Sequence, residues 1–245
     1  MSDRFSSLPA ARVLVAGATG LVGGHALRLL LNDARVTRVR ALLRRPVSPD
    51  VLMSPLEPAS LPAGKLVLDV AAFDCLGEHP SWFEVDWVFC ALGTTIAKAG
   101  SQQAFREVDL EHPLRIARLA KAAGARHFLL VSALGADASS RVFYNRVKGE
   151  LEDAVKALGF ESTTFARPSL LTGDRADFRL GEAVGQRLGW LVPAPFKPVR
   201  ASQVALGLVN AAIEGRPGLH ILANADMRRL PVSTPHNTTS VATAT

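Results

Sequence analysis

The only tyrosine of the chain, Tyr144, stands four residues ahead of Lys148, near the start of a segment with strong helical patterning. One helical turn apart, a phenol and an ammonium share a face. The ammonium's charge favours phenolate and lowers a pKa that is about 10 when unperturbed. Such a pair is a proton donor for a carbonyl or an alcohol. Ser132 comes twelve residues before the tyrosine and ends the apolar run His127-Phe128-Leu129-Leu130-Val131.

A second motif supplies what that pair lacks. The run Arg12-Val13-Leu14-Val15-Ala16 leads straight into Gly17-Ala18-Thr19-Gly20-Leu21-Val22-Gly23-Gly24. Gly17, Gly20 and Gly23 have the spacing of a dinucleotide loop: one glycine for a tight turn, one for close approach of backbone to pyrophosphate, one for helix–strand contact. The helix that follows offers unpaired amides and its dipole to phosphates. Glycines alone are weak evidence of binding, and the strand–turn–helix context is what gives them weight. Together the two motifs point to a nicotinamide-dependent oxidoreductase.

Cofactor choice is decided about 20 residues past the loop, where an acid would hold the ribose 2′-hydroxyl of NAD. Here the chain reads Ala41-Leu42-Leu43-Arg44-Arg45. Two guanidiniums there can clamp a 2′-phosphate in bidentate fashion, so NADP(H) is favoured over NAD(H).

These groups need a scaffold that brings them together. Short apolar runs near 12–16, 36–42, 66–69, 86–91, 127–131, 161–165 and 219–222 alternate with helical stripes such as Val147, Leu151, Ala154, Val155 and Leu158. Alternation of this kind predicts an α/β fold, a Rossmann-type doubly wound parallel sheet with helices on both faces. Ligands of such sheets bind at the carboxyl ends of the strands. Gly17, Gly93 and Ser132 all follow strands, and Tyr144 with Lys148 falls in the first turns of the helix that returns from there. Residues 45–64 carry five prolines and read as a long irregular connection. The reading assigns 1–230 to one domain. Within it, 168–230 forms a small C-terminal substrate-side lobe, with helices near 180–189 and 201–214 and a pocket-shaping stretch over 175–200. The Ser/Thr/Ala-rich end, 231–245, reads as a disordered tail.

Composition narrows the rest. A chain of 245 residues, 48% of them apolar, has a core large enough for one α/β domain. No apolar run approaches the roughly 18 residues of a membrane span, and the first ten residues lack the apolar stretch of a secretory signal; the expectation is a soluble, cytoplasmic protein. Cys75 and Cys90 have no CxxC partner and read as reduced thiols, and six scattered histidines give no metal-ligand spacing. A net charge of +6 suits phosphorylated cofactors and anionic metabolites. The cluster Arg35, Arg38, Arg40, Arg44 and Arg45 lacks the interleaved aromatics of a single-strand platform, which argues against nucleic acid. The partner expected is a small molecule; oligomeric state is left open.

Taken together, Gly17-Ala18-Thr19-Gly20-Leu21-Val22-Gly23, Leu68-Asp69-Val70, Ala91-Leu92-Gly93-Thr94-Thr95, Ser132 and Tyr144-Asn145-Arg146-Val147-Lys148 resemble the short-chain dehydrogenase/reductase superfamily. Phe165-Ala166-Arg167-Pro168-Ser169-Leu170-Leu171 looks like the stretch after the sixth strand in its extended and atypical members. The run 131–137, with Tyr144 and the stretch 147–152, is most similar to the atypical Tat-interacting-protein-like oxidoreductases. The resemblance covers roughly 10–230. It implies Tyr144 as general acid/base, Lys148 as the group that lowers its pKa and holds the nicotinamide ribose, and Ser132 as hydrogen-bond partner of the reacting oxygen. It implies further that Asp69 and Val70 contact adenine, that Ala91, Leu92, Gly93 and Thr94 line the cofactor, and that Arg167, Pro168 and Ser169 flank the nicotinamide. One departure stands out: where many members carry an asparagine in a proton relay, this chain reads Arg106-Glu107-Val108-Asp109-Leu110.

Three functions fit these residues: an NADP(H)-dependent oxidoreductase of small carbonyls or alcohols, a nucleotide-sugar epimerase or dehydratase using the same Tyr/Lys pair, and a non-catalytic NADP(H)-binding regulator. The short C-terminal lobe leaves limited room for a nucleotide diphosphate. A pure sensor needs none of Ser132, Tyr144 and Lys148. Both considerations favour the first.

Overall fold

The computed structural model describes residues 10–53, 63–173, 193 and 196–232. Seven strands form one sheet: β1 (Ala11–Ala16), β2 (Val36–Leu43), β3 (Leu66–Val70), β4 (Trp87–Cys90), β5 (His127–Val131), β6 (Ser162–Arg167) and β9 (Gly218–Ala223). Their order is β3-β2-β1-β4-β5-β6-β9, and every neighbouring pair runs parallel. A pair of two-residue strands, β7 (Leu171–Thr172) and β8 (Val199–Arg200), lies apart from the sheet.

Period-two alternation sends each strand's side chains into two separate cores. From β1, Val13 and Val15 enter one and Leu14 and Ala16 the other; from β5, Leu129 enters the first and Phe128 and Leu130 the second. The first core is closed by α1 (Leu21–Asn32) and by α7 (Ala201–Glu214), the second by α5 (His112–Ala122) and α6 (Phe143–Ala157). Between β2 and β3 runs α2 (Pro49–Met53), and before α5 come α3 (Ile96–Ala99) and α4 (Gln102–Arg106); α8 (Asn224–Arg229) follows β9. Because both faces of the sheet are covered, its central strands carry near-continuous apolar runs.

Strand order reverses between β1 and β4, which leaves a crevice at the carboxyl ends of that pair. The two chain segments that leave it touch. Ala91 N donates to Ala16 O at 2.9 Å, and a Cβ on Gly17, whose φ is +89°, would lie 2.5 Å from Ala91 O. A Cβ on Gly23 would lie 2.1 Å from Gly17 O. No side chain fits at either position, so the turn and the first turn of α1 can lie this close only with glycine.

Two expectations gain detail. The connection over 45–64 contains a short helix, α2, among its described residues. Within 168–230, α7 and β9 complete the main sheet's layers, and β7 and β8 are the strands set apart from it. The expected helix near 180–189, most of the pocket-shaping stretch and the tail beyond 232 lie outside the described residues.

His127 opens β5 at 3% exposure, its Nε2 3.0 Å from both Thr164 Oγ1 and Ser162 Oγ. Burial, with the nearby His220, pushes its pKa down to about 4. An unfolded histidine takes up its proton near pH 6.5, so between those values the unfolded chain binds more protons and stability falls as pH falls. Denaturant melts from pH 7 to 4 should lose roughly 2–4 kcal/mol on this account. His127→Gln should flatten that part of the slope; equal slopes in variant and parent would refute the assignment.

Candidate active site

Each group that the sequence singles out lies on an element that ends or begins at one edge of the sheet. Gly17–Gly23 follow β1, Ala91–Thr94 follow β4, Ser132 follows β5, and Pro168–Ser169 follow β6. The helix α6 begins one residue before Tyr144, and Val147, Leu151 and Val155 fix its rotation by facing the second core at 0% exposure. That rotation turns the 144–148–152 line inward as well: Lys148 and Glu152 are buried. Tyr144 is partly buried, its ring tilted against Phe105 with centroids 5.6 Å apart.

The centre of the site is an ion pair. Lys148 Nζ lies 2.6 Å from Asp109 Oδ1, with the two side chains 4% and 1% exposed. This is contact by distance, at angles outside those of a hydrogen bond. Asp109 Oδ2 accepts from Thr94 N at 2.8 Å. Asp109 is carried by a π turn, Glu107–Glu111, that joins α4 to α5; such wide turns recur at functional sites. Gly93 lies directly against the pair, since a Cβ there would be 3.3 Å from Asp109 Oδ1 and 3.8 Å from Lys148 Nζ. Thus Lys148, Asp109 and Gly93-Thr94, far apart in sequence, meet at the strand-order reversal.

The electrostatics differ from the sequence expectation in one respect. Burial raises the Tyr144 pKa above its ordinary value; Lys148 works against that, and Asp109 adds to it. The phenol is therefore held protonated: Lys148 does lower the pKa, as expected, but burial outweighs it, and a carboxylate 2.6 Å from the ammonium adds to the rise. For Lys148 itself, burial works to lower the pKa, but Asp109 and then Tyr144 outweigh it, and the net shift is upward. Burial pushes the thiol of Cys90, within electrostatic reach of Lys148 and Asp109, up to about 11. It is no nucleophile at neutral pH.

Ser132 is 4% exposed, and its Oγ has no hydrogen-bond partner among the described residues. A buried hydroxyl left unpaired costs about 1–3 kcal/mol, and a ligand oxygen at this edge would satisfy it. Its backbone is well held, Ser132 N donating to Ala166 O at 2.8 Å. The loop behind it is clamped to α6 through Asp137 N and Asn145 O at 3.1 Å.

A dinucleotide fits the opposite end of the crevice on structural grounds. The N-cap of α1 is Gly20, which makes no side-chain hydrogen bond, and no acid stands in the first turn. The helix thus presents amides and positive dipole without a competing carboxylate. Arg44 and Arg45 are exposed just past β2, and the charge of Arg44 reaches His112. Val70 is 44% exposed at the end of β3.

Three expected cofactor contacts have other partners. Asp69 Oδ2 accepts from Arg40 Nη1 at 2.6 Å across β2 and β3. Arg167 Nε donates to Glu152 Oε1 at 3.0 Å, and its Nη2 pairs with the other oxygen, tying β6 to α6. Ser169 gives its hydroxyl to Lys197 O at 2.7 Å and its N–H to Asn224 Oδ1 at 3.0 Å. Glu152 falls within the stretch 147–152 that carries the resemblance but has no role assigned there, and no motif singles out Asn224. Glu152 was open to detection, being four residues past Lys148 on the same helical line; Asn224, 55 residues from its partner, carries no local signal. Among the described residues no cluster of metal-ligand type exists, and no helix is long and apolar enough to cross a membrane.

Comparison with known proteins bears on the family and the fold. A family described as NAD(P)H-binding matches residues 17–189. "Protein fmp52, mitochondrial" of Emericella nidulans is 37% identical over 179 residues, 72% of this chain and 73% of the relative. "Protein FMP52, mitochondrial" of Coccidioides immitis is 32% identical over 243 residues, 90% of this chain and 96% of the relative. Among solved structures, DesIV, a dTDP-glucose 4,6-dehydratase of Streptomyces venezuelae with NAD bound, matches with a TM-score of 0.64. At 16% identity, over 86% of this chain and 75% of that one, the likeness is one of fold. The relatives correct the cytoplasmic expectation, because their names point to mitochondria.

Proposed function

This chain belongs to the NAD(P)H-binding family, as the fungal fmp52 proteins are its relatives, and from that premise we propose that it is an NADP(H)-dependent oxidoreductase of the short-chain dehydrogenase/reductase type. Its substrate is a small carbonyl or alcohol. The observation that carries this reading is the meeting of Lys148 with Gly93-Thr94 at the strand-order reversal, on the helix that also bears Tyr144. A structural ion pair needs no such position, whereas a dinucleotide-dependent proton donor does.

In this reading Gly17-Ala18-Thr19-Gly20-Leu21-Val22-Gly23 would hold the phosphates, Asp69 and Val70 would border the adenine, and Ala91-Leu92-Gly93-Thr94 with Pro168-Ser169 would hold the nicotinamide. Asp69 and Arg167, each paired within the protein, serve by holding strand ends in position. The bound reduced dinucleotide supplies the hydride. Ser132 Oγ donates to the reacting oxygen, and Tyr144 gives that oxygen its proton. Lys148 has three donors and can hold a ribose hydroxyl while remaining on Asp109.

Titration with NADPH and NADH, followed by a panel of aldehydes and ketones, tests the assignment. The expected result is binding of NADPH and loss of reduced-nicotinamide absorbance with at least one carbonyl; no association of either dinucleotide at millimolar concentration would end it. Arg44→Ala tests the coenzyme choice. A charge-assisted hydrogen bond is worth about 1.5–3 kcal/mol, so NADPH affinity should fall by roughly 10–100-fold while NADH affinity holds. An unchanged NADPH/NADH ratio would remove Arg44 from the 2′-phosphate site.

A further inference from the structure

We propose that Asp109 is a positioning residue that neutralises Lys148 in the resting site, keeps Tyr144 in its proton-donating form, and so poises this site for carbonyl reduction at neutral pH. The inference rests on the oxidoreductase reading for its reaction and on the geometry for its electrostatics.

Asp109 is buried in the middle of the π turn with both carboxylate oxygens engaged, one against Lys148 Nζ at 2.6 Å and one by Thr94 N at 2.8 Å. Its charge is therefore fixed in place rather than swinging in solvent. A buried pair of this kind interacts far more strongly than one in water. Among the described residues, the ionisable groups that act on Tyr144 and Lys148 are Asp109 from the π turn, Cys90 from β4, and each other. Cys90 is a neutral thiol below about pH 11. One fixed negative charge thus stands against one positive charge, and the phenol is left with burial as the dominant influence, which favours its neutral form.

A neutral phenol suits one direction of the reaction. In reduction the carbonyl carbon receives the hydride with its electron pair, the C=O π bond opens onto oxygen, and that oxygen takes the Tyr144 proton. The products are an alcohol, the oxidised dinucleotide and a phenolate that regains its proton from solvent. Oxidation of the alcohol needs the phenolate first, and at neutral pH burial, with Asp109 set against Lys148, keeps that form scarce.

Because Tyr144 is the only tyrosine, the near-ultraviolet phenolate band reports it alone, without cofactor or turnover. The parent protein should show no phenolate band until pH exceeds about 10, the value of an unperturbed tyrosine. Asp109→Asn, which keeps the shape and removes the charge, should bring ionisation down by about one pH unit or more. Asp109→Glu should restore the parent curve. A parent phenol that ionises below the unperturbed value, or an Asp109→Asn curve that overlays the parent, would overturn the proposal. Should Asp109→Asn fail to fold, Asp109→Ser, which also removes the charge, is read in its place. In turnover, the alkaline limb of reduction should move with the titration. A merely structural Asp109 would change stability and leave both curves where they are. Failure of NADPH to bind would sink the oxidoreductase reading and leave these curves untouched, so the two failures are distinguishable.

Discussion

Tyr144→Phe should lower kcat for carbonyl reduction by about 10²–10⁴-fold, the usual worth of a positioned general acid. NADPH affinity should stay close to that of the parent. The substitution is mild in every other respect. The ring is held against Phe105 with centroids 5.6 Å apart, and phenylalanine keeps that contact. The hydroxyl lost is a proton donor beside Lys148, which is already matched by Asp109, so no buried charge is stranded. Loss confined to kcat is what a group acting mainly in the transition state produces. The measurement is steady-state reduction of whichever carbonyl the panel identifies, with NADPH binding followed separately. Activity undiminished in the phenylalanine variant would show that the proton comes from elsewhere and would sink the assignment of this helix.

Most of this arrangement is legible in the chain. The seven strands of the main sheet stand where the apolar runs fall, because a parallel sheet covered on both faces has little choice but to use residues such as Val13-Leu14-Val15 and Phe128-Leu129-Leu130. The glycine loop is legible for a steric reason that the coordinates make concrete at Gly17 and Gly23. The pairs β7 and β8 were not foreseeable: two residues carry no period, and their partners are found only once the fold exists. The same holds for Asp69 and Arg167. A motif assigns them to a cofactor, yet a carboxylate and a guanidinium take the nearest buried counter-charge, here Arg40 and Glu152. The upward shift at Tyr144 has a related reason. The i,i+4 spacing gives the pair, but its electrostatic outcome depends first on burial and then on a third group, Asp109, that a π turn delivers from another helix. Sequence displays two-body geometry within an element, and three-body balance across elements appears only after packing.

Gly149→Ala should be the most damaging single methyl in α6. A Cβ there would lie 2.1 Å from Ala138 N and 2.2 Å from Asp137 C. These are backbone atoms in the loop that follows Ser132, so neither can swing aside as a side-chain end would. Alanine is the better helix former by up to about 1 kcal/mol, but overpacking of this kind costs about 1–3 kcal/mol, occasionally more, and here the clash wins. For a domain of this size the melting temperature should fall by roughly 2–12 °C. Relief requires α6 to back away from the loop, and α6 carries Tyr144 and Lys148 while the loop carries Ser132. Displacement of about 1 Å between reacting groups can cost about 10²-fold, so turnover should fall by more than the loss of folded protein explains. Gly77→Ala is the control, because a Cβ at Gly77 meets nothing within 4 Å; it should leave both quantities unchanged. A Gly149→Ala protein that melts and turns over like the parent would mean that helix and loop are not in the contact described. The common frame for the hydroxyl, the phenol and the ammonium would then be lost with it.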